Sequence, residues 1–405
     1  MNNKTKILIF VGLITIVMVV QFFMPHFGQT HIIRMEPTGD SVSYPLDAGP
    51  SFHSNNSNLF YFVTRGGVQQ LASNGGVRWS EPFSFTHPIM VARGDIVAVG
   101  ERAGRTVYVF NSAGLIFSAD FDDPVVLFSV NEAGILSVVL ETSFGYRIYI
   151  HNQQSVRPGE RALFYQNITG DLHFPTAVEV SENGRYIAVA ILDSSTSLFN
   201  HTILLRYMNE WDARAAGVEE GLFAAEILDD QEVIYSMRFM ADNKFVVATT
   251  SRIICYQITS RSYGVSTKQI LWAINLQNYL SHIAFYGNRH LVYVTGDRHL
   301  GIIDGTPPGA VRIVNLDSTQ VGEFNLGRSV THLSVGHGAA IVGTDRNFHA
   351  IDLRGNLLWE HNALQYTRDV IFLDDTDTIL IAGANRAEVH VRRRMRNNTI
   401  EEILD

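Results

Sequence analysis

Cysteine is almost missing from this chain: one residue, Cys255, stands among 405. A lone thiol makes no internal disulfide and no cysteine-based zinc site. Inside the apolar run 252–258 it reads as a small buried hydrophobe. Charge is sparse as well. Asp, Glu, Lys and Arg make up 18% of the residues, where roughly 25% is usual, and that suits a protein of many buried strands. The net charge of −9 argues against nucleic acid, which requires a basic face. The one basic run, Arg392-Arg393-Arg394 with Arg396, is short. It fits a solvated edge strand, or a patch for a membrane surface or partner.

Signatures of catalysis are also missing. The sequence holds no His-Glu-x-x-His, no phosphate loop and no Gly-x-Ser-x-Gly elbow. Asp374-Asp375-Thr376-Asp377 lacks the further oxygen ligands and the Gly and Glu spacing of a calcium loop, and it falls where a hairpin turn is expected. Catalytic, cofactor-binding and metal-ligating residues are therefore assigned as none.

What the chain has is strands. Aromatics are 11% and hydrophobic residues 46%, and one hairpin pattern occurs twice at a distance. Thr64 to Trp79 (TRGGVQQLASNGGVRW) aligns without a gap on Thr344 to Trp359 (TDRNFHAIDLRGNLLW). Gly75 then matches Gly355, and Trp79 matches Trp359. Between these copies an apolar run, a turn and a run rich in Ile, Val and Ala recur: IVAVG, ILSVVL, YIAVAI, FVVATT, LVYVTG, AAIVGT and TILIAG. Turn chemistry and β-branched enrichment make each a hairpin. A third, aromatic strand and a more polar fourth follow in most units, and four antiparallel strands every ~40–50 residues predict a β-propeller. The fold class is all-β, with seven or eight four-stranded blades. Eight is favoured if a strand near His31 to Met35 or Ser41 to Tyr44 completes the last blade and removes its exposed edge.

Ahead of the repeats lies Ile7 to Met24, eighteen residues without a charge. That is about the length of a membrane-spanning helix and longer than the apolar core of a cleaved signal peptide. Lys4 and Lys6 precede it, so the positive-inside rule places the N-terminus in the cytoplasm. The expected organisation is a cytoplasmic N-terminus (1–6), a transmembrane signal anchor (7–24), a linker (25–50), a propeller (51–397) and a tail (398–405). The expected location is the cell membrane, single-pass, with the propeller extracytoplasmic.

Trp79, Trp272 and Trp359 occupy matching places in outer strands and are expected, with Asp352 and Gly355, to dock one blade on the next. His282 and His332 begin first strands and could face the central channel as structural residues. The repeat is interrupted at 206–226, where the fourth Trp, Trp211, lies in an insertion with Asn209, Glu210, Asp212 and Arg214. Insertions map to one face of a propeller, so these five are the candidate partner-binding residues. GTPPG at 305–309 is a second, rigid turn.

At Ala350-Ile351-Asp352, Gly355 and Trp359 the chain resembles the tryptophan-docking motif of quinoprotein-dehydrogenase-like propellers (PQQ-repeat or WD40-like), roughly Ala-x-Asp-x-x-x-Gly-Lys-x-x-Trp. This copy is one residue short and lacks the Lys. Other units keep fragments, Asn111 with Gly114 and Asn74-Gly75 with Trp79. The whole arrangement resembles an uncharacterised family of membrane-anchored propellers of Gram-positive bacteria, which implies a fold and a location and no activity. The single cysteine excludes the vicinal disulfide often found in the quinoproteins, and no residue set carries over for their cofactor. The functional expectation is a non-catalytic, membrane-tethered scaffold for a protein or cell-envelope partner. The alternatives are a small-molecule or glycan sensor using the central channel, and a quinoprotein-like oxidoreductase or propeller hydrolase.

Overall fold

The computed structural model describes residues 32–395 apart from 58, 157–161, 170–171, 196–199, 209–221, 229–231, 242, 260–266, 297–309, 328 and 345. The expected anchor (7–24), the tail (398–405), Asn209 to Arg214 and the GTPPG turn lie outside the described residues. Among those described, no helix is long and apolar enough to cross a membrane.

Thirty-two strands form eight four-stranded antiparallel sheets. The sheets are the eight blades of a propeller, numbered here from the first complete one. Blades 1 to 7 are each built from four consecutive strands, innermost first. They span 51–82, 88–120, 125–169, 173–227, 234–275, 280–325 and 332–362. Blade 8 takes three strands from 369–395 and its outermost strand, Ile32–Ser43, from the N-terminal end. Ile32 pairs with Met395 and Ser43 with Arg386, so the ring is closed by hydrogen bonds between the two ends of the chain.

That closure revises the expected linker: Ile32–Ser43 is a propeller strand. Pro37 and Gly39 disguised it. Both lie in a register shift between Pro37 and Ser41, with Gly39 at a φ of 95°. Proline is tolerated on an outermost strand because an edge N–H has no ladder partner to lose. A second revision concerns blade 4. Its outermost strand, Leu222–Ile227, falls within the stretch read as an insertion, where Ala224 and Ala225 suggested helix and pairing with Ile203–Arg206 overrides that preference.

The core is divided into eight apolar clusters, one between each pair of neighbouring blades. A middle strand buries both faces. In Leu136–Thr142, Leu136, Val138 and Leu140 pack toward blade 2 while Val139 packs toward blade 4. Sheets covered on both sides require continuous apolar runs rather than alternation, and this is why the second strands read as unbroken Ile, Val and Ala.

The outer strands carry a recurrent bulge. In blades 1, 2, 5, 6 and 7 the register shifts just before the residues paired with Gln70, Val109, Cys255, Ile313 and Ala350. The partners beyond the bulge are Trp79, Phe117, Trp272, Gly322 and Trp359. Each of the three indoles donates its Nε1–H to a turn carbonyl of the following blade. Trp79 bonds Ser112 at 3.2 Å, Trp272 bonds Leu316 at 2.7 Å and Trp359 bonds Thr376 at 2.8 Å. Trp359 is buried; Trp79 and Trp272 are half-buried. In blade 6 the same place is held by Gly322, because the turn of blade 7 comes too close for a side chain. A Cβ on Gly322 would lie 2.7 Å from the Gly355 nitrogen, and one on Gly355 would strike the Glu323 carbonyl. Asp352 shapes that turn by accepting from the backbone N–H of Arg354 and Asn356 at 2.8 and 2.9 Å.

Candidate functional site: the two faces and the axis

Antiparallel connectivity puts all turns from first to second strand, and from third to fourth, on one end of the ring. We call this the turn face. Turns from second to third strand, and the crossovers between blades, form the opposite crossover face.

The inner wall of the ring near the turn face carries charge. Arg93 (innermost strand of blade 2) donates from Nη2 to Glu179 Oε1 (innermost strand of blade 4) at 2.8 Å. Ser129 of blade 3 donates to the same oxygen at 3.2 Å. Arg238 of blade 5 lies 3.7 Å from Glu132 of blade 3 and stacks 5.4 Å from the centre of the Phe285 ring of blade 6. Blades 2 and 4, and blades 3 and 5, are each separated by one blade, so this network runs along the inner wall of the ring from blade 2 to blade 6. Burial raises the Glu179 pKa, and Arg93 pulls it back. Burial, then the like charge of Arg93, lowers Arg238 to about 10.

Each sequence-proposed channel histidine has a structural partner. His332 Nε2–H donates to the Val370 carbonyl of blade 8 at 2.8 Å, and its Nδ1 is 3.6 Å from Asp369. His282 Nδ1 lies 3.2 Å from the Ser281 hydroxyl. Burial pushes the Cys255 thiol up to about 11, as suits a core residue. Among the described residues no three His, Cys, Asp or Glu side chains converge as metal ligands.

Off the axis, the turn face carries a cleft of about 480 Å³ between blades 2, 3 and 4. Ile96, Ile116 and Phe117 give it an apolar floor, and Asn111, Asn152, Gln153, Gln154, Glu132 and Glu182 a polar rim. Burial, then the neighbouring Glu132, raises the Glu182 pKa. Met208, the last described residue before the insertion proposed from sequence, donates its N–H to the Arg185 carbonyl at 2.9 Å. A Cβ on Gly184 would meet both Met208 and Ile135, a cleft residue.

The crossover face is different in kind, and sequence reasoning missed it. It exposes large apolar side chains from crossover after crossover. Leu46 (72% exposed) lies between blades 8 and 1, and Leu364 (96%) with Tyr366 between blades 7 and 8. Leu172 and Phe174 stand at the entry to blade 4, Val233 and Tyr235 at the entry to blade 5, and Tyr279 at the entry to blade 6. Phe144 (79%) tips the second-to-third turn of blade 3. Of the remaining exposed apolar side chains, Val77, Leu115, Ile270, Leu271 and Leu357 lie on outermost strands, Ile89 on the innermost strand of blade 2 and Leu163 just before the outermost strand of blade 3. The available signal was apolar residues inside polar connections, Leu364 and Tyr366 in HNALQYTR above all.

Fold and faces define an eight-bladed β-propeller whose outer strands dock on the following blade. The chain belongs to the DUF5711 family, a family of unknown function, whose sequence profile matches residues 51–390. No match is found among curated proteins. Similar solved structures include BamB from Moraxella catarrhalis, with a TM-score of 0.48 and 10% identity over 88% of this chain and 99% of that one. The hydrazine synthase of Kuenenia stuttgartiensis gives 0.44 and 10% over 88% and 98%. A chain of the mitotic checkpoint complex gives 0.44 and 12% over 87% and 94%. At such values nothing that those proteins bind passes to this chain.

Proposed function

We propose that the protein is a membrane-tethered, extracytoplasmic, non-catalytic scaffold whose crossover face binds a protein or cell-envelope partner. The observation that carries this reading is the concentration of exposed Leu, Phe and Tyr side chains on the crossover face. Singly scattered surface apolar residues need no explanation, but large exposed apolar side chains gathered on one rigid face are what an interaction surface presents. Orientation supports it. The closing strand runs from the turn face at Ile32 to the crossover face at Ser43, so the apolar run 7–24 joins the ring on the turn-face side. Seven residues separate Met24 from Ile32, a reach of at most ~25 Å. A membrane-spanning segment there holds the turn face toward the bilayer and leaves the crossover face free.

A second reading, recognition of a small molecule or glycan, is favoured by the cleft. Its volume falls within the range of ligand sites, roughly 300–1,000 Å³, and its amides and carboxylates suit hydroxyl-rich ligands. The cleft gives this reading an off-axis site beside the central channel considered from the sequence. The insertion with Trp211, outside the described residues, remains the proposed second contact surface.

The test is site-specific photo-crosslinking of the full chain in cells, with the photoreactive residue at Phe144, Leu364 or Gln154. Scaffolding through the crossover face predicts one shared adduct from Phe144 and Leu364. An adduct from Gln154 alone would transfer the function to the cleft.

A further inference from the structure

We infer that the cleft between blades 2, 3 and 4 is a binding site for an uncharged pyranose, a mono- or disaccharide, and that it rejects acidic sugars. The inference rests on the second reading above, that the cleft takes a ligand, and gives that ligand its chemistry.

The amides of the rim are fixed before any ligand arrives. Asn111 and Asn152 stand at the third-to-fourth turns of blades 2 and 3. Asn111 Oδ1 accepts from the Ala113 N–H at 2.9 Å, and Asn152 Oδ1 from the N–H groups of Gln154 and Ser155 at 3.0 and 2.9 Å. A backbone N–H must face oxygen, so these bonds fix which end of each amide is which. The Nδ2 amino groups are the ends left over, and neither has a partner among the described residues. Gln153 is tied down as well. Its Nε2 donates to the Ile116 carbonyl at 3.3 Å, across the seam between blades 2 and 3, which leaves its Oε1 to accept. Groups set in advance bind with little ordering cost.

The charges of the lining select a neutral ligand. Among the described lining residues there is no Lys or Arg to meet a phosphate or a carboxylate. The two lining carboxylates are already answered from the protein side. Glu132 lies 3.7 Å from Arg238, and backbone N–H groups of Glu132 and Ala133 favour the ionised form of Glu182. A cation is therefore not required, and an anion is repelled. The ligand that fits is neutral, donates to the Glu132, Glu182 and Gln153 oxygens, and accepts from Asn111 and Asn152. A hydroxyl group does both. Ile96, Ile116 and Phe117 supply an apolar floor, which suits the C–H face of a sugar ring. Hydroxyls at the rim and C–H groups at the floor are what a pyranose presents together, and about 480 Å³ suits a small ligand of that kind.

The experiment is a saturation-transfer NMR titration of the full chain in nanodiscs. Cellobiose, maltose and di-N-acetylchitobiose are the neutral probes, and digalacturonate is the acidic one. The expected result is transfer to at least one neutral disaccharide and none to digalacturonate. Asn152→Asp is the informative variant. Its carboxylate still accepts from Gln154 and Ser155, so the turn survives, but the donor is gone. Neutral-sugar binding should weaken about tenfold or more. Digalacturonate bound by the wild type as well as the neutral sugars overturns the inference and leaves the cleft a ligand site. Neutral-sugar binding that ignores both Asn111→Asp and Asn152→Asp puts the sugar elsewhere and also overturns it. If no sugar binds, the inference fails, and a library of sugar-free fragments decides the reading beneath it. Fragments lost in Asn152→Asp leave the cleft a ligand site, and none lost removes both.

Discussion

Arg93 and Glu179 meet at 2.8 Å on the inner wall of the propeller, 86 residues apart in sequence, with blade 3 between them. Their contact is polar, long-range and largely buried on the Glu179 side, with Arg93 half-buried, and its energetics depend on both partners being present. Removing one partner of a buried ion pair leaves an uncompensated charge and costs about 3–5 kcal/mol, whereas replacing both by apolar groups is far better tolerated. Arg93→Met should lower stability by an amount in that range, and adding Glu179→Leu should recover most of it. Denaturant melts of the three proteins measure this. Equal losses in the single and double variants would show that the two residues do not act as a pair.

Gly355 and Gly134 separate two reasons for glycine. Their φ angles are similar, 83° and 76°. A Cβ at Gly134 meets nothing within 4 Å, while one at Gly355 strikes the Glu323 carbonyl. Gly134→Ala should cost only the left-handed strain, ~1–2 kcal/mol. Gly355→Ala should cost clearly more, because blades 6 and 7 must move apart. Matching melting shifts would contradict the close approach.

Gln70 lies fully buried opposite Trp79, and neither of its amide atoms has a hydrogen-bond partner among the described residues. The matching place is Cys255 in blade 5 and Ala350 in blade 7. An unpaired buried polar group costs about 1–3 kcal/mol. Gln70→Leu, similar in volume and apolar, should therefore raise the denaturant midpoint. Trp359→Ala should do the reverse by about 3–5 kcal/mol, since it empties a buried site and abandons the bond to Thr376. A midpoint that falls in the first variant, or stays fixed in the second, goes against these assignments.

His361 and His390 pack edge to face at 5.3 Å between blades 7 and 8. Burial, then His390, lowers the His361 pKa from 6.5 to about 4. A histidine with a depressed folded-state pKa contributes full stability above pH 6.5, and that contribution is lost as pH falls toward 4. In this window the unfolded chain binds the extra proton. Stability should decline from pH 6.5 to about 4, and less steeply in His361→Gln. Parallel pH profiles for the two proteins would refute the assignment.

The repeats were readable because hairpins are local: turn residues and β-branched runs announce each pair of strands, and the Trp79 and Trp359 copies share one turn geometry. In both, the turn closes through Gly75 N–H to Ala72 and Gly355 N–H to Asp352, at 2.8 and 2.9 Å. Eight blades were within reach once a strand near residue 32 was considered. Its full length was hidden, because Pro37 and Gly39 mimic a linker when only an edge bulge is being built. Leu222–Ile227 was hidden for the opposite reason, as helix-favouring alanines were recruited by tertiary pairing. The Arg93–Glu179 bridge left no local trace, since its partners share no repeat position. The crossover-face side chains were visible as letters, but only topology collects them on one side.

The central claim, that the crossover face engages the partner, is tested most directly by co-purification from membranes with three proteins. These are the wild type, F144D/L364D, and a deletion of residues 209–221. The account predicts one partner with the wild type, retained at least in part by the deletion and lost from F144D/L364D, with all three melting as folded proteins. A partner that survives F144D/L364D and disappears with the deletion would contradict it and assign binding to the turn face and Trp211.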